Sequence, residues 1–280
     1  MYNVENDKVI LEHGSINRGI IAVASGKGGV GKSTVTVNLA AALSKLGYKV
    51  GIIDADVRGF SVPRILGLSD KPKAISEKEM MPPEVEGIKA ISMGSFVNEN
   101  SPVIWRAPLL GGALEQFFKD VHWGELDYML LDLPPGTGDM PLNIMQKVPH
   151  AEVLVVTTPQ VTATKVAGRI GKMAEKMELN LLGVIENMSY YQCRKCGNKD
   201  YIFGEEGGKN LAEFMGTELL GELPLISDLR KRSDSGRPII FDDPEAEISQ
   251  NFIKVAEKIA EREVGFDEKI EALKLNMEVE

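Results

Sequence analysis

The sequence predicts an α/β domain with a doubly wound, mostly parallel β-sheet. Short apolar runs alternate along the chain with longer segments of helical periodicity, the pattern of successive βα units. Several runs are apolar at consecutive positions, as expected for strands that helices cover on both faces. The chain has 280 residues, of which 43% are hydrophobic and 26% are charged. This is enough to bury such a sheet in a single core.

The elements follow one another in a regular order. The predicted strands are 19–25, 49–54, 88–93, 128–133, 152–157, 181–186 and 218–223. The predicted helices are 32–45, 109–119, 141–147, 162–177, 207–215 and 244–262. Two polar segments, 69–86 and 190–207, are expected to be surface excursions. We therefore divide the chain into an N-terminal extension (1–18), one domain (19–264) that carries the loop 190–207, and an acidic C-terminal tail (265–280).

The composition excludes several classes of protein. The sequence has 32 Lys and Arg against 41 Asp and Glu, a formal charge of −9, which disfavours non-specific binding to nucleic acid. It has no apolar run of the roughly 18 residues that a membrane helix needs. The first 18 residues also lack the apolar stretch of a signal peptide. We therefore expect a soluble, cytoplasmic protein with no nucleic-acid or membrane partner.

The strongest motif directly follows the first predicted strand. The segment GKGGVGKST lies between that strand and a helix, the context in which G-x-x-x-x-G-K-[ST] indicates a phosphate-binding loop. Glycines allow the backbone to wrap around phosphate groups, and the helix adds its positive end. Lys32 would neutralise phosphate oxygens, and the Ser33 hydroxyl would ligate Mg²⁺. The predicted nucleotide-binding residues are Gly26, Lys27, Gly28, Gly29, Val30, Gly31, Lys32, Ser33 and Thr34.

The same glycines satisfy a competing pattern. Gly26, Gly28 and Gly31 match the G-x-G-x-x-G dinucleotide fingerprint, and Asp54 and Asp56 lie where a ribose-binding acid would be expected. That fingerprint requires neither the Lys-Ser-Thr that follows nor a second strand that ends in an acid. The phosphate-binding loop of an NTPase is therefore the favoured interpretation.

A second lysine, Lys27, follows the first glycine of the loop. A lone loop lysine is usually solvated, but inside a phosphate cradle a second cation stabilises charge on the transferring phosphoryl group. GKGGVGKST resembles the deviant Walker A motif of the MinD/ParA/nitrogenase-iron-protein ATPases, which implies a P-loop NTPase fold. The resemblance also implies that Lys27 reaches across a dimer to the nucleotide of the partner.

Acidic residues end two of the other strands. The segment KVGIIDAD ends with Asp54 and Asp56, and YMLLD ends with Asp132, so these acids are expected beside the phosphate loop at the carboxyl edge of the sheet. Asp132 is interpreted as the Walker B acid of the Mg²⁺ shell, and Gly136 as a backbone donor to the γ-phosphate. By resemblance, Asp56 is the acid that positions the attacking water. The alternative is that each aspartate only caps the next helix.

The base-binding residues rest on the resemblance alone. Asn187 matches an asparagine of the family that hydrogen-bonds adenine, and Pro224 and Leu225 match a segment that lines the base pocket. The residues by themselves do not distinguish adenine from guanine.

The two cysteines, Cys193 and Cys196, form a C-x-x-C pair. This spacing places two sulfurs within reach of one metal, and the intervening Arg194 and Lys195 favour thiolates. A closed thiolate site usually has four ligands, so two chains related by a two-fold axis would complete a [4Fe–4S] or zinc site. A redox dithiol and a structural zinc knuckle are the alternatives. The three histidines (13, 122 and 150) lack ligand spacing and are expected to be ordinary surface or core residues.

Further motifs make the resemblance more specific. Over about residues 15–260 the chain resembles the Mrp-type iron–sulfur cluster carrier ATPases, through GKGGVGKST, DADVRGFSVPRILG (54–67), WRAP (105–108), LLDLPPGTGD (130–139), ENMSYYQC (186–193) and GELPL (221–225). Phe60 and Ala107 depart from the proline and glycine that are common in the family.

This resemblance implies a homodimeric, slow, Mg²⁺-dependent ATPase that carries a [4Fe–4S] cluster to apo iron–sulfur proteins, with zinc as a substitute after aerobic purification. A MinD/ParA-like positioning ATPase is the alternative, but it needs a basic tail or patch. The tail here carries both signs of charge and ends acidic. A metabolic kinase would leave Lys27 and the cysteines unexplained.

Overall fold

The computed structural model describes residues 3–5, 8–57, 59–96 and 107–262. The strands are β1 (Asn3–Glu5), β2 (Lys8–Leu11), β3 (Gly14–Ser25), β4 (Val50–Asp54), β5 (Lys73–Ala74), β6 (Met80–Met81), β7 (Glu84–Val85), β8 (Ile88–Ser92), β9 (Gly124–Asp132), β10 (Ala151–Thr157), β11 (Leu181–Asn187), β12 (Tyr191–Gln192), β13 (Lys199–Asp200) and β14 (Leu219–Leu223). The α-helices are α1 (Lys32–Lys45), α2 (Val62–Leu66), α3 (Ala107–Asp120), α4 (Asp139–Lys147), α5 (Val161–Lys176), α6 (Gly207–Met215), α7 (Ser227–Ser235), α8 (Ile239–Asp242) and α9 (Glu247–Glu261). The predicted tail at 265–280 and the first two residues of WRAP lie outside the described residues.

One large sheet organises the domain. Its main path is β14-β11-β10-β3-β9-β4-β8-β7, and every neighbouring pair from β14 to β8 is parallel. Only β7, β2 and β1 join the sheet in antiparallel pairs. Strand β3 lies near the centre of the sheet. Strands β4 and β8 follow on one side, and β9 then lies between β3 and β4. Strands β10, β11 and β14 extend the sheet on the other side of β3. The predicted doubly wound, mostly parallel fold is confirmed.

Helices cover both faces of this sheet, which explains the unbroken apolar runs in its strands. One face packs against α3, α4, α5 and α6, with Phe118 and Ile170 among the buried side chains. The other packs against α1, α2, α8 and α9, with Leu39 and Phe252 buried. Strand β4 is buried along its whole length. The parallel strands therefore direct their carboxyl ends, and the loops that follow, to one edge.

The N-terminal region differs from expectation. Strand β3 begins at Gly14, so it runs through the expected boundary between residues 18 and 19. Its first residues pair with β2 on one side and with β9 on the other. Residues 8–11, which form β2, and residues 14–18, which begin β3, are thus part of the sheet. Strand β3 extends in the amino-terminal direction beyond the apolar run from which it was predicted. The domain from 19 to 264 otherwise stays a prediction.

Three helices were not predicted. Helices α2 and α8 have five and four residues, too few for a helical period to stand out. Helix α7 is largely polar, with Leu229 as its buried residue. The segment 69–86 carries only two-residue strands and is mostly exposed, as expected. Among the described residues, no helix combines the length and apolar character needed to cross a lipid bilayer.

Candidate functional site

The glycine loop joins β3 to α1 at the carboxyl edge of the sheet. Gly31 precedes α1 with φ 86° and ψ 20°, a left-handed conformation that disfavours any residue with a side chain. A Cβ at Gly31 would also lie 2.2 Å from Nδ2 of Asn187, and one at Gly26 would lie 2.5 Å from the backbone nitrogen of Ala167. Close packing therefore requires glycine at both positions.

The loop encloses a small cavity at the amino end of α1. The cavity has a volume of about 220 Å³ and is lined by Gly28 to Thr34 of the loop and by Asp56, Ser61 and Pro135. The helix end contributes a partial positive charge, and Lys32 is its first residue. Backbone N–H groups and a cation at the mouth of a cavity are the features that bind phosphate.

Asp132 is the centre of a buried polar cluster. Its carboxylate accepts hydrogen bonds from the hydroxyls of Ser33, at 2.6 Å, and of Thr36, at 2.7 Å. Nζ of Lys32 lies 2.7 Å from Oδ2 of Asp132 and 3.8 Å from Oδ2 of Asp56. Asp132 is fully buried and Lys32 is 5% exposed. The loop, β4 and β9 thus bring their charged residues to one point, as predicted.

Asp54 lies beside this cluster, at the end of β4. It pairs in register with Asp132 on β9 and accepts hydrogen bonds from the backbone of Asp56 and Val62 and from the hydroxyl of Ser92. Burial, followed by the charge of Asp132, raises the pKa of Asp54 to about 7. The Asp54 carboxyl group therefore changes its protonation state near neutral pH.

The donor set fits a magnesium ion. Asp54, Asp56 and Asp132 place three carboxyl groups around one buried lysine, Lys32, and the Ser33 hydroxyl adds a further oxygen. The negative charge exceeds the positive charge, and hard oxygen donors are those that Mg²⁺ prefers. Ser33 and Asp132 are the residues that would hold it. The roles predicted for these residues stay predictions.

Two predicted phosphate ligands make other contacts. The N–H of Gly136 donates to the carbonyl of Ser25 at 2.8 Å, so donation to a γ-phosphate would require this bond to be exchanged. Nζ of Lys27 donates to Oε1 of Gln160 at 3.2 Å. Gln160 precedes α5, far from the loop in sequence, so Lys27 is held at the surface by a residue from a neighbouring connection.

The predicted base-binding residues share a second cavity. It has a volume of about 350 Å³, and its lining includes Asn187, Pro224 and Leu225, together with residues of α2 and α7. Nδ2 of Asn187 donates to the carbonyl of Val30 at 2.8 Å, which ties this cavity to the phosphate loop. Gly31 and Thr34 line both cavities. The two cavities therefore adjoin, as phosphate and base subsites must.

The structure describes the side chain of Phe60 but not that of Ala107, the two residues that depart from the family pattern. Phe60 lines the larger cavity, and its ring packs on Gly94, where a Cβ would lie 2.6 Å from the ring. Phe60 therefore contributes an aromatic surface to the cavity wall. Ala107 begins α3, and its side chain lies outside the described part of the chain.

The cysteines occupy a small hairpin after β11. Strands β12 and β13 pair antiparallel, and the turn between them is closed by hydrogen bonds from the N–H of Cys193 to Asn198 and from the N–H of Gly197 to Cys193. Both cysteines are free thiols, Cys193 half-buried and Cys196 exposed. Hydrogen bonds from the backbone N–H groups of Cys196 and Lys195 lower the pKa of Cys193. The pair thus presents two thiols outward on a turn that favours thiolate.

Three contributors to the site were missed by the sequence analysis. Thr36 lies one helical turn after Lys32, and this i, i+4 spacing was a usable signal. Ser92 ends β8 beside β4 and bonds Asp54, which strand order alone could reveal. Gln160 carries no local signal at all, because its partner Lys27 lies 133 positions away.

Comparison with protein families gives one match over most of the chain. The description "ParA: NUBPL iron-transfer P-loop NTPase" matches residues 17–260. A Bacillus subtilis protein named iron-sulfur cluster carrier protein is 51% identical over 257 residues, which cover 91% of this chain and 69% of that protein. A Pyrococcus horikoshii protein of the same name is 47% identical over 255 residues, or 86% of this chain and 85% of its own.

Solved structures agree with this assignment. A nucleotide-binding protein from Archaeoglobus fulgidus, in complex with ADP, aligns with a TM-score of 0.72 and 41% identity over 84% of this chain and 91% of its own. The cell division ATPase MinD of Pyrococcus furiosus aligns with a TM-score of 0.66 and 24% identity, over 86% of this chain and 98% of its own, a likeness of fold alone. The chain spans about two thirds of the length of its bacterial relatives, with 69% and 65% for two of them.

Proposed function

The chain belongs to the NUBPL iron-transfer P-loop NTPases of ParA type, which confirms the predicted kinship with the Mrp-type carriers, and from this premise we propose that it is an ATP-hydrolysing iron–sulfur cluster carrier. It works as a homodimer, takes a [4Fe–4S] cluster as cargo between two copies, and delivers it to apo iron–sulfur proteins. The single observation that carries this proposal is the pair of free thiols, the half-buried Cys193 and the exposed Cys196, on a hairpin that directly follows the nucleotide-site residue Asn187.

The phosphate subsite supports binding and hydrolysis of ATP. Lys32 and the amino end of α1 compensate phosphate charge, and Ser33 with Asp132 would hold Mg²⁺, which when bound neutralises charge on the β- and γ-phosphates. Asp56 lines the same cavity, where its carboxylate would orient the attacking water. Asn187, Pro224 and Leu225 would hold the adenine. Slow, Mg²⁺-dependent turnover is the expected behaviour.

The position of Lys27 supports a role across a dimer. Nζ of Lys32 contacts the acids of its own chain, whereas Nζ of Lys27 is directed to Gln160. A lysine held outside the cavity of its own loop is placed to serve a nucleotide on a facing chain, where it would stabilise the transferring phosphoryl group. Dimerisation through this face would also bring symmetry-related cysteines into one set.

The coordination number of the cargo supports sharing between chains. The sequence contains two cysteines, Cys193 and Cys196, and a [4Fe–4S] cluster is commonly held by about four thiolates. Two copies related by a two-fold axis supply this number. Zinc, which also accepts a thiolate tetrad, would occupy the same ligands after aerobic purification.

Direct contacts connect the nucleotide site to the cysteine hairpin. The N–H of Leu225, in the base subsite, donates to the carbonyl of Tyr190 at 2.7 Å. Arg194, between the cysteines, forms a 2.8 Å ion pair with Asp228 of α7, the helix that lines the base subsite. A movement of α7 on nucleotide exchange would therefore displace the hairpin. We propose that ATP turnover changes the exposure of the shared cluster through these contacts.

A positioning ATPase of MinD type is not favoured. Relatives at 45–51% identity carry the name iron-sulfur cluster carrier protein, whereas the resemblance to MinD lies at 24% and is one of fold. Co-sedimentation with anionic liposomes or with DNA is expected to be negative. The cytoplasmic location stays a prediction.

Anaerobic reconstitution tests the proposal. With Fe²⁺ and sulfide, the protein is expected to bind about four irons per dimer and to develop a brown chromophore. Cys193→Ser should abolish the chromophore and leave ATP affinity unchanged, because no nucleotide-subsite cavity includes the cysteine. A cluster bound to a monomer would contradict the sharing of the cluster between two chains. A loss of ATP binding and metal together in the variant would contradict the carrier proposal and indicate a structural zinc instead.

A further inference from the structure

Two of the three histidines lie together at a site far from the cysteines. The rings of His13 and His122 stack with centroids 3.9 Å apart and planes 9° apart. Both Nε2 atoms face the carboxylate of Glu79, at 3.7 Å for His13 and 3.2 Å for His122. Donor atoms of the three side chains lie within 4.8 Å of one another. Residues far apart in sequence thus meet as two imidazoles and one carboxylate.

The backbones that carry these side chains are fixed by hydrogen bonds. The carbonyl of His13 accepts from the N–H of Gly124 at 2.9 Å, and the N–H of His122 donates to the carbonyl of Met80 at 2.9 Å. Glu79 donates its own N–H to the hydroxyl of Ser76 at 3.1 Å. The spacing between the three Cα positions is therefore set by the fold, and only the side chains need to move when a ligand arrives.

We propose that His13, Glu79 and His122 form a binding site for a divalent cation of the zinc type, separate from the cysteine site. Imidazole nitrogens and a carboxylate are the ligands that Zn²⁺ and Co²⁺ accept, whereas Mg²⁺ prefers oxygen alone. Side-chain exposures of 23%, 30% and 39% leave room for water at the remaining coordination positions.

Formation of the site requires a small contraction. Metal–ligand distances of about 2.1 Å in a tetrahedral site place donor atoms about 3.4 Å apart. The donor atoms now lie within 4.8 Å of one another, and rotation of the two rings and of the Glu79 side chain would bring them to this spacing. Because the stacked rings are nearly parallel, the nitrogen lone pairs lie in nearly parallel planes, so one imidazole must turn about its Cβ–Cγ bond for both to face one ion. Half-exposed side chains have the freedom for this turn.

The position of the site suggests a structural role. His13 occupies the turn between β2 and β3, His122 lies just before β9, and Glu79 belongs to the surface segment 69–86. The site is therefore at the amino ends of β3 and β9, while the phosphate loop follows the carboxyl end of β3 and Asp132 is the last residue of β9. A bound cation would join the surface segment to the central sheet without touching the nucleotide or the cluster cargo.

A cobalt titration tests the site in the full chain with both cysteines replaced by serine. This background removes thiolate ligands, so Co²⁺ bound at the new site should give visible d–d absorption without sulfur-to-metal charge transfer. We expect one Co²⁺ per chain, displaced by Zn²⁺ and not by Mg²⁺, and a higher Tm with Zn²⁺. His122→Ala and Glu79→Gln should each weaken Co²⁺ binding at least about 100-fold, since loss of even an outer-shell partner costs 10–100-fold.

His150→Ala is the matched control, because it removes the histidine that is not part of the cluster. Its Co²⁺ affinity and spectrum should equal those of the parent. The proposal is overturned if His122→Ala and Glu79→Gln bind Co²⁺ as the parent does, or if His150→Ala reduces binding equally. If His122→Ala fails to fold by circular dichroism, Glu79→Gln decides, since it keeps the shape of the side chain.

Discussion

The hydroxyl of Thr36 is predicted to contribute more to stability than any single neutral hydrogen bond of comparable burial. Thr36 is fully buried, and its Oγ1 lies 2.7 Å from Oδ1 of Asp132 and 3.0 Å from the carbonyl of Lys32. Thr36→Val keeps the volume and the β-branch but removes the donor, so no cavity forms. The carboxylate of Asp132 then loses one of its buried hydrogen bonds.

The expected cost follows from the charge of the acceptor. A hydrogen bond to a charged group contributes about 1.5–3 kcal/mol, against about 0.5–1.5 kcal/mol for a neutral one. Thr36→Val should therefore lower the free energy of unfolding by about 1.5–3 kcal/mol, and lower the Tm by about 2–4 °C for each kcal/mol. Thr36→Ser keeps the hydroxyl and should cost only about 0.8 kcal/mol for the lost methyl group.

Urea unfolding followed by circular dichroism measures these differences. Thr157→Val is the matched control, because Thr157 is also buried and its Oγ1 donates at 3.1 Å to a neutral acceptor, the carbonyl of Thr158. If Thr36→Val costs no more than Thr157→Val, or if Thr36→Ser is as destabilising as Thr36→Val, the charged hydrogen bond is not what stabilises this cluster.

Further predictions concern the acid, the surface lysine and the glycine loop. Burial raises the pKa of Asp54 to about 7, so the folded state binds this proton more tightly than the unfolded state. Relative to Asp54→Asn, the wild type should therefore lose stability from about pH 4 to pH 7, and the difference should then level off. Urea midpoints of the two proteins that differ by the same amount at every pH in this range would contradict this prediction. Lys27→Ala should reduce kcat for ATP about 100-fold while titrated nucleotide affinity changes little, and an unchanged kcat would remove the proposed cross-dimer role. Gly31→Ala should abolish ATP binding in a fluorescence titration, because its Cβ would meet Asn187 and its φ is positive; Gly28→Ala, whose nearest Cβ neighbour is 4.0 Å away, should fold as stably as the wild type.

Features that the chain encodes locally could be predicted from the sequence. The phosphate loop needs one strand, four glycines and one helix in succession, and helix α1 spans Lys32–Lys45, as predicted. The central strands were found because burial on both faces leaves an apolar run that few other structures require. Resemblance added the family, since the order of several motifs along the chain is specific even where each alone is weak.

Features whose sequence signal is short, or is divided between distant segments, could not be predicted. Helices α2 and α8 are too short to show a period, and the polar first residues of β3 concealed its start at Gly14. His13 and His122 lie far apart in sequence, so no pattern in either segment predicts that the fold stacks their rings. Gln160 was missed for the same reason, because a side chain that bonds Lys27 across 133 positions leaves no pattern in either segment.

The sequence by itself determined the glycine loop with Lys32 and the C-x-x-C pair, because each is contiguous and depends only on local backbone conformation. The tertiary structure alone decided that Asp132 receives Ser33, Thr36 and Lys32 together, and that two histidines face one glutamate. Those side-chain contacts depend on strand order and register. Many distant residues set order and register jointly, and no short sequence pattern encodes them.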